Sequence, residues 1–183
     1  MAIGHINPKK SKLHGFSKGE RLCNFTLKNK LFKEGEAFHN FPLHFYWKLL
    51  DKNITPLFAD KKQQTANLEV VIESDSKADQ NSLMLNRTIP ANALFTHPVK
   101  CLIGVSKRNY RKAIDRNHLK RLIREAYRPN KHELYSFLAL RGKYCLLAIV
   151  YTGKSQLSYT EIESKIIVSL QKIQSDIEKM EGH

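Results

Sequence analysis

Acidic residues are scarce in this sequence: 17 Asp and Glu stand against 31 Lys and Arg in 183 residues, a formal net charge of +14 at pH 7. Long apolar runs are missing too. Nothing approaches the roughly 20 residues that a membrane-spanning helix requires, so a spanning segment is excluded. The N-terminal cations of "MAIGHINPKKSKLHGF" are not followed by the apolar stretch of a secretory signal. Cysteine is limited to Cys23, Cys101 and Cys145, an odd number, far apart and without a C-x-x-C pair. Buried or free thiols in a reducing cytosol are the simplest reading, and a cytoplasmic location follows from it. Hydrolytic constellations are absent as well: the eight His are scattered, and no H-E-x-x-H, paired-carboxylate or Cys/His arrangement occurs. No catalytic and no metal-ligating residue is therefore expected in the chain itself.

The charge that is present is unevenly placed. Residues 1–34 carry eight Lys or Arg against two Glu, and residues 100–128 carry ten against two acids, whereas 35–99 and 129–183 come to −1 and +1. Two blocks hold the whole excess, which is the footprint of a polyanion partner and not of a generally solvated surface.

The length suits one domain with a real core, expected to span residues 1–183. Residues 1–20 are polar and Lys-rich and are expected to form a flexible basic N-terminus. In "ERLCNFTLKNKLFKEG" the positions Leu22, Phe25, Leu27, Leu31 and Phe32 recur near helical spacing, with Gly35 as the stop. "EAFHNFPLHFYWKLL" reads as a strand, with Leu43, Phe45 and Trp47 alternating against His44, Tyr46 and Lys48. Residues 51–99 are near-neutral and loop-rich, an insertion between strands with one plausible strand at "NLEVVIE". Its acids Glu73, Asp75 and Asp79 read as a solvated loop. "VKCLIGVSK" and "KYCLLAIVYTG" read as core strands, and a basic helix that Pro129 and Asn130 end or interrupt follows the first of them. "HELYSFLALRG" allows a further turn or two. The C-terminal helix carries Ile162, Ile166, Ile167, Leu170, Ile173 and Ile177 on one side.

At ~100° per residue, a helix over 112–128 gathers Leu119, Leu122, Ile123 and Ala126 into one stripe. Arg116, Lys120, Arg124 and Arg128 succeed one another beside it, with Asn117 and Arg121 adjacent. Like charges at this spacing cost a few tenths of a kcal/mol per pair, so a partner that neutralises them is expected. A solvated cationic face is the bland alternative. The near absence of acids, the preference for Arg where planar phosphate contacts matter and the second basic block argue against it.

A helix-turn-helix DNA reader would need a helix immediately upstream, where "VKCLIGVSK" reads as a strand. Single-stranded RNA recognition pairs cations with aromatics on a sheet, and Phe32 and Tyr46 are the candidates for those aromatics.

The segment "GVSKRNYRKAIDRNHLKRLIREAYR" resembles the signature of the protein subunit of bacterial ribonuclease P, an Arg-Asn-Arg motif followed by Lys-Arg and a further Arg. "FSKGERL", "LFKEG", the Tyr-bearing strand, "YCLLAIVYTGK" and the final helix resemble that family in its usual order. The resemblance covers roughly 16–50 and 99–178.

The resemblance implies an α+β fold, an α/β sandwich in which a small mixed central sheet is packed by helices, with a left-handed βαβ crossover. It implies a subunit, monomeric in the complex, that binds the ribonuclease P catalytic RNA and the 5′ leader of precursor tRNA. Mg²⁺ would be held mainly by the RNA, and the cleavage chemistry would belong to the RNA. By position, Arg116, Asn117, Lys120, Arg121 and Arg124 match motif residues that contact the catalytic RNA or help bind metal near it, Lys107 matches the basic residue ending the preceding strand, and Arg128 extends the RNA-binding row. Phe32 and Tyr46 match the leader-binding cleft. Two positions depart from the pattern: His118 replaces the second Arg of the motif, and Lys28 replaces a further cleft Phe, trading a base contact for a phosphate contact. A structural RNA binder such as a ribosomal protein is the alternative from a different class.

Overall fold

The structure, a computed structural model, describes residues 15–51 and 93–181. In chain order its elements are helix α1 (Phe25–Glu34), strands β1 (Glu36–Asn40), β2 (Leu43–Leu50) and β3 (Val99–Val105), helices α2 (Ala113–Asn130) and α3 (His132–Leu140), strand β4 (Tyr144–Tyr151) and helix α4 (Tyr159–Glu181). The strands form one sheet in the order β1-β2-β4-β3. The pairs β1–β2 and β2–β4 are antiparallel and β3–β4 is parallel. This is the expected α+β architecture, a mixed sheet packed by helices. Parallel neighbours need a long connection, and α2 and α3 supply it.

Strand alternation decides what each face does. In β2, Leu43, Phe45 and Trp47 are buried, while His44, Tyr46 and Lys48 on the other face are half-buried. β4 lies between two neighbours and is apolar on both faces, as a central strand must be. The face carrying Phe45, Trp47, Cys101, Leu147 and Ile149 packs against Leu119 and Ile123 of α2, Leu134 and Leu138 of α3, and Ile162, Ile166, Leu170, Ile173 and Ile177 of α4. The opposite face packs a smaller cluster, in which Leu22, Leu27 and Leu31 cover Leu50, Leu146 and Ala148, with Ala93 alongside.

Three local expectations change. The single strand read over "EAFHNFPLHFYWKLL" is a hairpin, β1 and β2 joined through Phe41–Pro42, because Pro42 has no N–H to continue a ladder. Leu22 lies outside the first helix, where its N–H bonds Cys101 O at 3.0 Å along the edge of β3; Asn24 caps α1 by accepting from Leu27 N–H at 3.1 Å. Ile167 is 36% exposed, unlike the rest of its row on α4. Pro129 sits inside the last turn of α2, where Asn130 Nδ2 donates to Ala126 O at 2.8 Å. The three cysteines are free, Cys101 and Cys145 buried and Cys23 exposed.

The N-terminal expectation divides in two. Residues 1–14 lie outside the described residues, and residues 15–20 pack against the fold. Glu20 is 2% exposed. Its carboxylate pairs with buried Lys131 and accepts from Tyr135 Oη at 2.7 Å and Ser17 N–H at 2.9 Å. Burial alone would raise the Glu20 pKa, but the hydrogen bonds from Lys131, Ser17 and Tyr135 outweigh it and hold the pKa below its ordinary value. Residues 15–20 are thus held through Glu20. The segment expected as an insertion runs between β2 and β3; residues 52–92, including "NLEVVIE", Glu73, Asp75 and Asp79, lie outside the described residues. Among the described residues no helix is long and apolar enough to cross a membrane.

Candidate nucleic-acid interface

α1 covers only part of its side of the sheet. Leu27 and Leu31 anchor it, and the helical repeat turns Phe25, Lys28 and Phe32 onto a neighbouring flank. Phe32 is 47% exposed and meets Tyr46 of β2 edge-to-face, the ring centroids 5.0 Å apart. Helix and strand therefore make a wall and a floor, with Phe32 on one and Tyr46 on the other. Lys28 lies on the wall side of α1, half-buried.

The approach of wall to floor depends on Gly35. Its N–H bonds Leu31 O at 2.9 Å, and its φ of −81° is open to any residue. A Cβ there would lie 2.3 Å from Leu31 O and 3.0 Å from Trp47 O, so it is space and not backbone freedom that demands glycine.

The basic residues sit on α2 and the loop before it. Their helix packs on the sheet face opposite α1, so the two candidate surfaces are carried on opposite sides of the sheet. Lys107, Asn117, His118 and Arg121 are exposed, whereas Arg116, Lys120, Arg124 and Arg128 are half-buried. Arg116 through Arg128 wind along the flank of the apolar stripe, and Asn117, His118 and Arg121 project outermost. Arg116 donates to Tyr110 O at 2.9 Å and Arg111 O at 2.5 Å, tying the Arg-rich loop to the first turn of the helix. Arg128 pairs with Glu125 at 2.7 Å. Arg124 keeps a buried Nε with no hydrogen-bond partner among the described residues.

Sequence reasoning missed His44. Its ring stacks on Tyr46 with centroids 4.5 Å apart and an interplanar angle of 23°. Burial, and then the neighbouring His39, hold its pKa below the ordinary histidine value. The signal was available, since His44 stands two residues before Tyr46 on the same strand face. Among the described residues no group of three or more His, Cys, Asp or Glu is placed to hold a metal ion.

The family described as Ribonuclease P matches this chain over residues 16–174, a span that includes the 51–99 segment which the motif resemblance left aside. Ribonuclease P protein components from two strains of Porphyromonas gingivalis are 28% and 27% identical to it over 163 residues, covering 89% of each chain. The ribonuclease P protein component of Chlorobium phaeobacteroides is 31% identical over 98 residues, covering 51% of this chain and 67% of its own.

Proposed function

The chain belongs to the ribonuclease P protein family, and on that premise we propose that it binds the catalytic RNA of ribonuclease P and the 5′ leader of precursor tRNA, assisting the RNA in removing that leader. The observation that carries the leader half of the reading is the half-exposed Phe32 on α1 set against Tyr46 of β2, at the open part of the sheet. Unpaired bases stack on such rings without regard to sequence. Lys28 on the same flank adds a cation for the strand's phosphates.

The catalytic-RNA half rests on α2. Asn117, His118 and Arg121 project outward with Lys107, and the half-buried Arg124 beside them adds its charge to the same helix. Arg116 holds the loop that presents Lys107 and is a positioning residue as much as a contact. Arg128, paired with Glu125, contributes a screened charge. Mg²⁺ on RNA phosphates would supply water activation and stabilisation of the leaving oxygen, while this chain's residues bind and orient. Cytoplasmic residence fits the buried free thiols Cys101 and Cys145, and one copy of the chain per RNA fits a sheet with a single cleft. Family membership favours this reading over a ribosomal RNA binder.

The test is reconstitution with a bacterial ribonuclease P RNA and precursor tRNA at low Mg²⁺. Stimulated leader cleavage is expected. No stimulation overturns the reading, and cleavage by the chain without RNA transfers the chemistry to the protein.

A further inference from the structure

The ring pair Phe32–Tyr46 does not end at Tyr46. His44 stacks on it at 4.5 Å, His39 of β1 meets His44 edge-to-face at 5.0 Å, and Phe41 at the hairpin tip lies 6.1 Å from His39. The register explains the run: His39 is directly opposite His44, so both point to the face that carries Tyr46. Phe41 is 65% exposed, although a ring at a hairpin tip has no core to join.

The outer end of this row is held in place. Thr152 Oγ1 donates to Pro42 O at 3.1 Å and lies 3.4 Å from His39 Nε2, so its lone pair faces the ring. Thr152 O in turn accepts from Asn109 Nδ2 at 2.6 Å. Asn109 belongs to the loop that also carries exposed Lys107 and Arg108, so the row runs from α1 toward cations that can take phosphates. In β1 and β2 the only acid is Glu36, which is opposite Trp47 and so faces the other side of the sheet. With its pKa held below the ordinary value, His44 presents a neutral ring at pH 7.

We propose that His44, His39 and Phe41 form a second stretch of the leader cleft, binding unpaired nucleotides beyond those held at Phe32 and Tyr46. The inference rests on the leader-binding reading above and adds to it a longer track, continuous in rings and without an acid of β1 or β2 on its face, that ends beside the Lys107 loop.

The experiment measures affinity of the reconstituted holoenzyme for precursor tRNAs with leaders of increasing length. In the unmutated complex, affinity should climb with successive nucleotides. His39→Ala/His44→Ala and, separately, Phe41→Ala should each remove the gain from one contiguous set of nucleotides, with about a fivefold loss per ring. Phe32→Ala should remove the gain from a different set. His44→Phe should retain the gain that a single His44→Ala loses, which a merely structural role would not predict, and affinity for the catalytic RNA should stay unchanged in all five variants. Unaltered length dependence in the hairpin variants, or loss of the same nucleotides that Phe32→Ala loses, overturns the second stretch. Absence of any length dependence in the unmutated complex would instead overturn the leader reading itself.

Discussion

The two faces of the sheet are made of the same strands and do opposite work. On one, Phe45, Trp47, Leu147 and Ile149 are sealed under α2, α3 and α4. On the other, α1 covers Leu146 and Ala148 and leaves Tyr46 and His44 half-buried. The difference lies in how many helices pack on each side and not in strand chemistry, since β2 supplies an aromatic to both faces within two residues. Full cover turns a ring into stability; half cover leaves it a surface to stack on. A protein of this size can keep one face unfinished only because the other is complete.

The comparison can be broken hardest on the covered side. Trp47→Ala should cost about 3 to 5 kcal/mol, the usual range for emptying a large buried site, read by chemical denaturation, and leader binding should fall only as far as the folded fraction falls. Next comes the anchor at the sheet edge. Glu20→Gln leaves Lys131 buried without its counter-charge and should cost about 3 kcal/mol. Because the folded pKa of Glu20 is depressed, the contribution is present above the unfolded carboxylate range near pH 4 and drains away as pH falls through the lower folded value. Denaturation midpoints measured against pH should therefore drop on the acid side in the unmutated chain and flatten there in the variant.

On the open side the effect should reverse in kind. Phe32→Ala should change stability by under about 1 kcal/mol yet weaken leader-bearing substrate about tenfold, measured as binding with and without a leader. A large stability loss there would erase the distinction between the faces. The smallest effect is expected on α2: Arg124→Ala should lower catalytic-RNA affinity severalfold and reduce its salt slope by roughly 1, which a salt titration reads directly.

Much of this architecture is legible in the sequence. The alternation of Leu43, Phe45 and Trp47 with His44, Tyr46 and Lys48 is a period of two, and the Ile and Leu row of α4 is a period near 3.6, and both appear where they were expected. What was not legible joins distant segments. Glu20 and Lys131 are 111 residues apart, and nothing in either neighbourhood names the other. Arg116 could be placed on a helix face, but its bonds to two carbonyls of the preceding loop depend on how that loop folds back. His39 joins the ring row only through the hairpin register, and the hairpin is hidden in the sequence because "EAFHN" and "LHFYWKLL" read as one continuous strand. Pro42 was the overlooked mark of the break.

Gly35 gives the cleft a property that its side chains do not. The gap between α1 and β2 is gauged by main chain against main chain, since Leu31 O and Trp47 O close on the position a Cβ would occupy. The width of the slot is thus independent of which residues line it. Exchanges at positions 28, 32, 44 and 46 would then change the chemistry of the slot without changing how wide it stands.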